Sequence, residues 1–383
     1  MKSAAVETLQ PFLPRIRRCA NAMEAARRLP ADLAKDMAAA GLFRLLVPQS
    51  LGGEQVDPST FIDTLIDASA ADGSTGWNLM IGNTTGLLSA SLPDPWAQSI
   101  YAARPDVVTV GVTAPRGRAI PERDGLRVSG RWPFGSGSHN ADWICGGCHV
   151  VDQGEPRRLA NGQPEVRLVF FRRDEVSLLD TWHVAGLRGT GSTDFEVHDV
   201  FVPEGRWVTL GGRPRIDAPL YRFPTLGLLA TGVASVAVGI ARRAIAEFLE
   251  LAAGKVPTGS TLALASRPRV QQDLAEAEAG TSAAICFMHA TAQDLFDRAA
   301  RGERLATSDK ARLRLAASHA TWSSVSAVDK LYHAAGATSI YEGSALQRCL
   351  RDIHVATQHI MVGQSTFEVA GKVMLGIDPQ TLL

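Results

Sequence analysis

The chain has 383 residues, 45% of them hydrophobic and 20% charged, which is enough to build two or three cores in a soluble protein. Lys+Arg and Asp+Glu both number 39, a balance that excludes a strongly charged surface for nucleic acid or membrane. The 5 cysteines are too few and too scattered for a disulfide framework, and an N-terminus broken by Glu7, Pro11, Pro14 and Arg15 lacks the apolar stretch of a signal peptide, so a cytoplasmic protein is expected.

Residues 1–105 read as helical. Pro30-Ala31-Asp32 can open a helix that continues to Ala40 and stops at Gly41. Residues 61–71 and 76–89 continue the pattern, the second run rich in small residues. Residues 106–215 change texture: 107–110, 126–129, 166–171 and 195–202 are short β-prone runs punctuated by Gly, Pro and Asp, the spacing of an all-β unit. From 216 to 383 the helical period returns. The most apolar run, 226–241, falls short of the ~18–20 residues of a membrane span and contains Thr231 and Ser235, so it reads as a core helix. Val270, Leu274, Ala277, Thr281, Ala284 and Met288 recur every three or four residues and share one face, as in a bundle of long helices. The expected domains are 1–105 (helical), 106–215 (β) and 216–383 (helical bundle).

Local signals exclude several chemistries. Cys145-Gly146-Gly147-Cys148 has no second CxxC and no histidine at zinc-ligand spacing, and it lies in a β-like region. No GxGxxG stands between a strand and a helix, no HExxH is present, and Gly189-Thr190-Gly191 lacks the following Lys-Ser/Thr of a phosphate loop.

Three segments carry a family resemblance. Residues 128–137, VSGRWPFGSG, continued by Ala141-Asp142-Trp143, resemble the flavin-contacting strand of acyl-CoA dehydrogenases. Residues 182–192, WHVAGLRGTGS, followed by Phe195 and Val200-Phe201-Val202-Pro203, resemble the end of their β domain, and Gly336 with Arg351-Asp352 resembles the last part of their bundle. The order of these segments implies an acyl-CoA dehydrogenase-like α+β multidomain fold: an N-terminal α-helical domain, a middle β-barrel and a C-terminal four-helix bundle, assembled as a homotetramer. GRWPFxSG, WHxxGLRGTGS and RDxHxxTQH resemble the two-component flavin-dependent monooxygenase branch of that superfamily, with indole and indole-3-acetate hydroxylases as the nearest likeness. The resemblance implies reduced flavin (FADH2 or FMNH2) from a separate NAD(P)H:flavin reductase, O2 as co-substrate, a C4a-hydroperoxide, and a small aromatic substrate.

It also implies site residues. Phe134 aligns with the aromatic residue packed on the isoalloxazine, Ser136 with the hydroxyl that touches the ring near N5 or O4, and Thr113 with a further flavin contact. His359 stands where related monooxygenases place an acid/base histidine; His354, five residues earlier and about 140° round a helix, is its competitor. Arg267 aligns with an arginine that reaches a neighbouring subunit's flavin, and His333, Gly336 and Ser339 with contacts to the flavin diphosphate and adenosine. Arg351-Asp352 reads as a structural ion pair.

The rival reading is an acyl-CoA dehydrogenase with Glu342 of Ile340-Tyr341-Glu342-Gly343-Ser344 as base. In dehydrogenases that glutamate follows the Arg-Asp pair by nine residues from the arginine; here Glu342 precedes it, and the matching position is Ile360. Residues 112–118, VTAPRGR, also lack the Glu, Ser and Asp of the thioester-binding segment. A flavin-free scaffold of the same fold is the third reading.

Overall fold

The computed structural model describes residues 3–209 and 212–381. The N-terminal region holds α1 (Ala4–Leu9), α2 (Leu13–Ala26), α3 (Ala31–Ala39), α4 (Pro58–Ala71), α5 (Gly73–Gly86) and the short α6 (Asp94–Ala97). Pro11 and Pro14, which break the sequence pattern, fall in the 3-10 turn between α1 and α2 and in the first turn of α2, where a missing N–H costs nothing. Two aspartates start the helices that matter most here. Asp57 accepts from Thr60 N–H (3.0 Å) at α4, and Asp72 from Thr75 N–H (2.8 Å) at α5.

The middle region is one sheet: β1 (Thr109–Glu122), β2 (Gly125–Trp132), β3 (Trp143–Asp152), β4 (Glu155–Pro156), β5 (Val166–Arg172), β6 (Ser177–Leu179), β7 (Asp194–Pro203) and β8 (Trp207–Thr209). The strand order is β6-β7-β2-β1-β3-β5-β8, with β4 on β3; all pairs are antiparallel except β1–β3. The end strands β6 and β8 do not pair with each other among the described residues. The sequence reading missed β3, whose Gly-Gly pair hides a strand. Opposite those glycines β1 bulges at Thr113-Ala114, and a Cβ on Gly147 would stand 2.3 Å from the Thr113 carbonyl oxygen.

The C-terminal region contains α7 (Pro219–Arg222), α8 (Thr225–Gly254), α9 (Pro268–Ala300), α10 (Thr307–Ala335), α11 (Ala345–Ala356) and α12 (Ser365–Met374). The face of α9 read from its periodicity is the inward one: Val270, Ala277, Thr281, Ala284 and Met288 are buried. At 30 residues, α8 is long and apolar enough to cross a membrane, unlike the shorter run read from the sequence. Yet 78% of its most apolar window is buried against protein, so it is the core helix. One hydrophobic core runs through all three regions, and a smaller one lies between the N-terminal helices and the other face of the sheet.

The regions are clamped where the site lies. Gly186 abuts α11 so closely that a Cβ would sit 2.2 Å from the Arg351 carbonyl oxygen. Beside it, Leu187 N–H donates to Asp352 Oδ1 (2.6 Å). Arg351 and Asp352 are therefore not paired with each other: Arg351 meets Glu24 (2.5 Å), while Asp352 turns inward. Neighbours on a helix project about 100° apart and cannot share one partner geometry.

Candidate active site

The site is placed by Trp132, the last residue of β2. It is fully buried, stacks on Phe195 (5.0 Å between centroids) and donates from Nε1 to the Gly147 carbonyl (2.7 Å). Anchored there, the chain turns sharply through 134–137. Phe134 has φ +65 and is 66% exposed, its ring edge-on to Trp182 at 6.3 Å. A positive φ on a bulky residue is strained, and such strain gathers at ligand sites. Gly117 packs on Gly130, and Val110 lies beside Gly137, so β1 and the 134–137 turn stay side by side. Thr113 is exposed at the β1 bulge.

Ser136, two residues on, is buried. Its Oγ accepts from Trp77 Nε1–H (3.1 Å) and lies 2.6 Å from Ser192 Oγ, which lies 2.7 Å from Thr190 Oγ1; Thr190 donates to the Leu187 carbonyl (2.8 Å). A carbonyl can only accept, so the chain has one direction. Thr190 gives its proton to Leu187, Ser192 to Thr190, and Ser136 to Ser192. Ser136 Oγ keeps one lone pair and no free proton.

On its other side Trp77 packs edge-on against His359, with centroids 5.6 Å apart. His359 lies in the turn after α11, where Met361 N–H donates to its Nδ1 (3.3 Å). That bond sets the neutral tautomer with the proton on Nε2. Burial, then the positive charge of Arg314, pulls its pKa down to about 4, so the ring is neutral at pH 7. His354 is exposed and bound to Asp329 (2.8 Å). The helix ends at Ala356, so the two histidines are separated by a chain turn and not by helical phase.

The other residues read from the sequence fall elsewhere. Arg267 is half-buried at the start of α9, and its guanidinium makes no ion pair among the described residues. His333 is exposed and lines a groove of about 450 Å³ with Arg269, Trp322, Asp329 and Lys330. Gly336 caps α10 with φ +62, and Ser339 turns its hydroxyl inward to the Gly336 carbonyl (2.7 Å). None of these four touches Ser136 or His359 within one chain. Glu342 is exposed, with no contact to either residue among the described residues.

Cys145 and Cys148 are free, buried and on opposite faces of β3, one in each core; burial pushes both thiols up, and they cannot share a metal. Trp77, the residue that joins Ser136 to His359, escaped the sequence reading. Its only signal is a lone tryptophan amid the small and polar residues of α5.

The residues present suit a flavin ring: an exposed aromatic plate, a hydroxyl oxygen with a spare lone pair, and buried Asn78 Oδ1 and Ser138 Oγ without partners around the same turn.

Comparison with known proteins agrees. Residues 231–364 match the family "Acyl-CoA dehydrogenase, C-terminal domain". The chain is 33% identical to indole-3-acetate monooxygenase of Pseudomonas putida, over 92% of this chain and 89% of that one. It is 31% identical to the flavin-dependent monooxygenase oxygenase subunit HsaA of Mycobacterium tuberculosis, over 93% of this chain and 90% of that one. The crystal structure of the M. tuberculosis HsaA monooxygenase superposes with TM-score 0.90 at 28% identity, covering 99% of each chain. XiaF from Streptomyces sp., solved with FADH2 and glycerol, superposes with TM-score 0.87 at 27% identity, covering 98% of this chain and 96% of that one. The chain belongs to the reduced-flavin-dependent monooxygenases, oxygenase components built on the acyl-CoA dehydrogenase fold.

Proposed function

We propose that this protein inserts one atom of O2 into an indole-like aromatic or heteroaromatic small molecule, the other atom leaving as water. It would act as a cytoplasmic homotetramer served by a separate NAD(P)H:flavin reductase. Reduced FAD or FMN, when bound, supplies the two electrons that activate O2. The observation that carries the reading is the one-way hydrogen-bond chain ending at Ser136. An oxygen with a lone pair but no proton accepts from the N5–H of reduced flavin and has nothing to offer the bare N5 of oxidised flavin.

Phe134 and Thr113 would flank the ring. His359, neutral and protonated on Nε2, would donate a hydrogen bond to the substrate or to the oxygen being transferred. This is a narrower role than full acid/base catalysis, since the Nδ1 lone pair is already engaged by Met361. Trp77, which bonds Ser136 and packs on His359, would position both. Arg267, His333, Gly336 and Ser339 would serve the phosphate and adenosine end of a flavin shared between subunits.

The test adds anaerobically reduced flavin to the protein, followed by O2 and indole-3-acetate, without the reductase. Oxygenated product is expected. His359→Ala should lower product per flavin by about 10- to 100-fold, with reduced-flavin affinity within about twofold of wild type. Wild-type protein that yields only H2O2 contradicts the function; equal loss of flavin binding and product contradicts the role given to His359.

A further inference from the structure

Three arginines are buried among the described residues, and two have partners. Arg206 meets Glu175 (3.0 Å), and Arg44 donates to the carbonyls of Arg104 (3.0 Å) and Leu51. Arg314, in the first half of α10, is 7% exposed and has none among the described residues: its Nε is buried without a partner, and its guanidinium makes no hydrogen bond or ion pair with any of them. A guanidinium cannot discard its charge by losing a proton, so an unanswered one inside a protein costs stability. An anion from outside the chain would answer it.

Its position says which anion. Arg314, Ser318 and Trp322 are spaced by single turns and form one row on α10. The Ser318 hydroxyl meets that of Thr366, and Trp322 Nε1–H donates to the Val362 carbonyl (3.0 Å). The row therefore faces residues 362–366, the stretch that follows His359. The Arg314 charge helps to keep His359 neutral, and His359 packs on Trp77, whose indole N–H donates to Ser136. The unanswered cation thus lies on the bundle helix that packs against the segment following His359.

We propose that Arg314 anchors a carboxylate on the substrate, so that the preferred substrates are aromatic or heteroaromatic acids. The inference rests on the monooxygenase reading and adds a charge requirement to it. A guanidinium takes a carboxylate through two parallel N–H···O bonds, which fixes the ring's direction relative to His359 as well as its affinity. A flavin phosphate offers the same anion chemistry, so flavin affinity is measured alongside.

Titration calorimetry would compare indole-3-acetate with its neutral counterpart indole-3-acetamide on wild type, Arg314→Lys and Arg314→Met, with FAD and FMN affinities in parallel. Wild type should prefer the acid by about 10- to 100-fold. Arg314→Met should abolish the preference, and Arg314→Lys should keep part of it. Amide binding should stay within about twofold, flavin affinity should not change, and the melting temperature of the Met variant should equal or exceed wild type. The proposal is overturned if wild type binds acid and amide equally or binds neither, if Arg314→Met retains the preference, or if that variant loses flavin affinity. Oxygenation of neutral indole separates the two readings. Indole oxygenated without any acid preference removes only the Arg314 assignment; an intact acid preference without any oxygenation removes the reaction and leaves Arg314 standing.

Discussion

His359 gives the sharpest physical prediction, because its environment affects stability as well as chemistry. An ordinary histidine takes up its proton near 6.5; here burial and the Arg314 charge lower that to about 4. The unfolded chain is then protonated from pH 6.5 downward, and the folded chain only near pH 4. The contribution is complete above 6.5 and is lost as the pH falls toward 4. By pH 5 the loss is on the order of 1–2 kcal/mol, after allowance for the ring's partial solvent access. Urea unfolding of wild type and His359→Gln at pH 7.5 and 5.0 measures it directly. Wild type should lose that much more than the variant between the two pH values. Superimposable pH profiles would refute the argument, since they would mean that the imidazole is not desolvated when folded. The same neutral ring predicts a product yield per reduced flavin that stays flat from pH 6 to 9, and an inflection near 6.5 that His359→Gln abolishes would refute it as well.

Other predictions come from neighbouring contacts. Ser192→Ala removes the acceptor that fixes the Ser136 proton, so the preference for reduced over oxidised flavin should fall by about tenfold in anaerobic titrations; an unchanged ratio would mean that the chain has no direction. Trp132→Ala should destabilise the protein by about 3–5 kcal/mol in denaturant unfolding, because it removes the anchor of the 134–137 turn together with a fully buried indole. Asp352, pushed up to about 7 by burial, should make stability fall as pH rises from 4 toward 7, because the unfolded chain gives up this proton first. Asp352→Asn should flatten that fall in thermal unfolding at pH 5 and 8, and an unchanged slope would place the titration elsewhere.

The helix–sheet–helix order was legible because each region keeps its own period, as in the α9 face from Val270 to Met288. The 134–136 segment stood out in the sequence only through its resemblance to the flavin-contacting strand of the family, since a serine between Gly135 and Gly137 is by itself an ordinary turn. Long-range geometry was not. The 140° argument for His354 and His359 assumed a helix that ends at Ala356, and adjacency in sequence suggested an Arg351–Asp352 pair that the fold sends to different partners. The direction of the hydrogen-bond chain depends on bringing Trp77, Ser136 and Ser192 together from three segments, which no local pattern announces. Arg314 left one faint trace, a charge on the same helical stripe as buried Ala317, Ser318 and Thr321, but only packing reveals that nothing answers it.

The central claim is oxygen insertion with reduced flavin, and isotopic oxygen tests it most directly. Reduced flavin, the protein and indole-3-acetate would be mixed with 18O2, with the product analysed by mass spectrometry. The account predicts one 18O atom in the product, and a much smaller yield from His359→Ala. Unlabelled substrate recovered with stoichiometric H2O2, or a product whose oxygen comes from water, would contradict it.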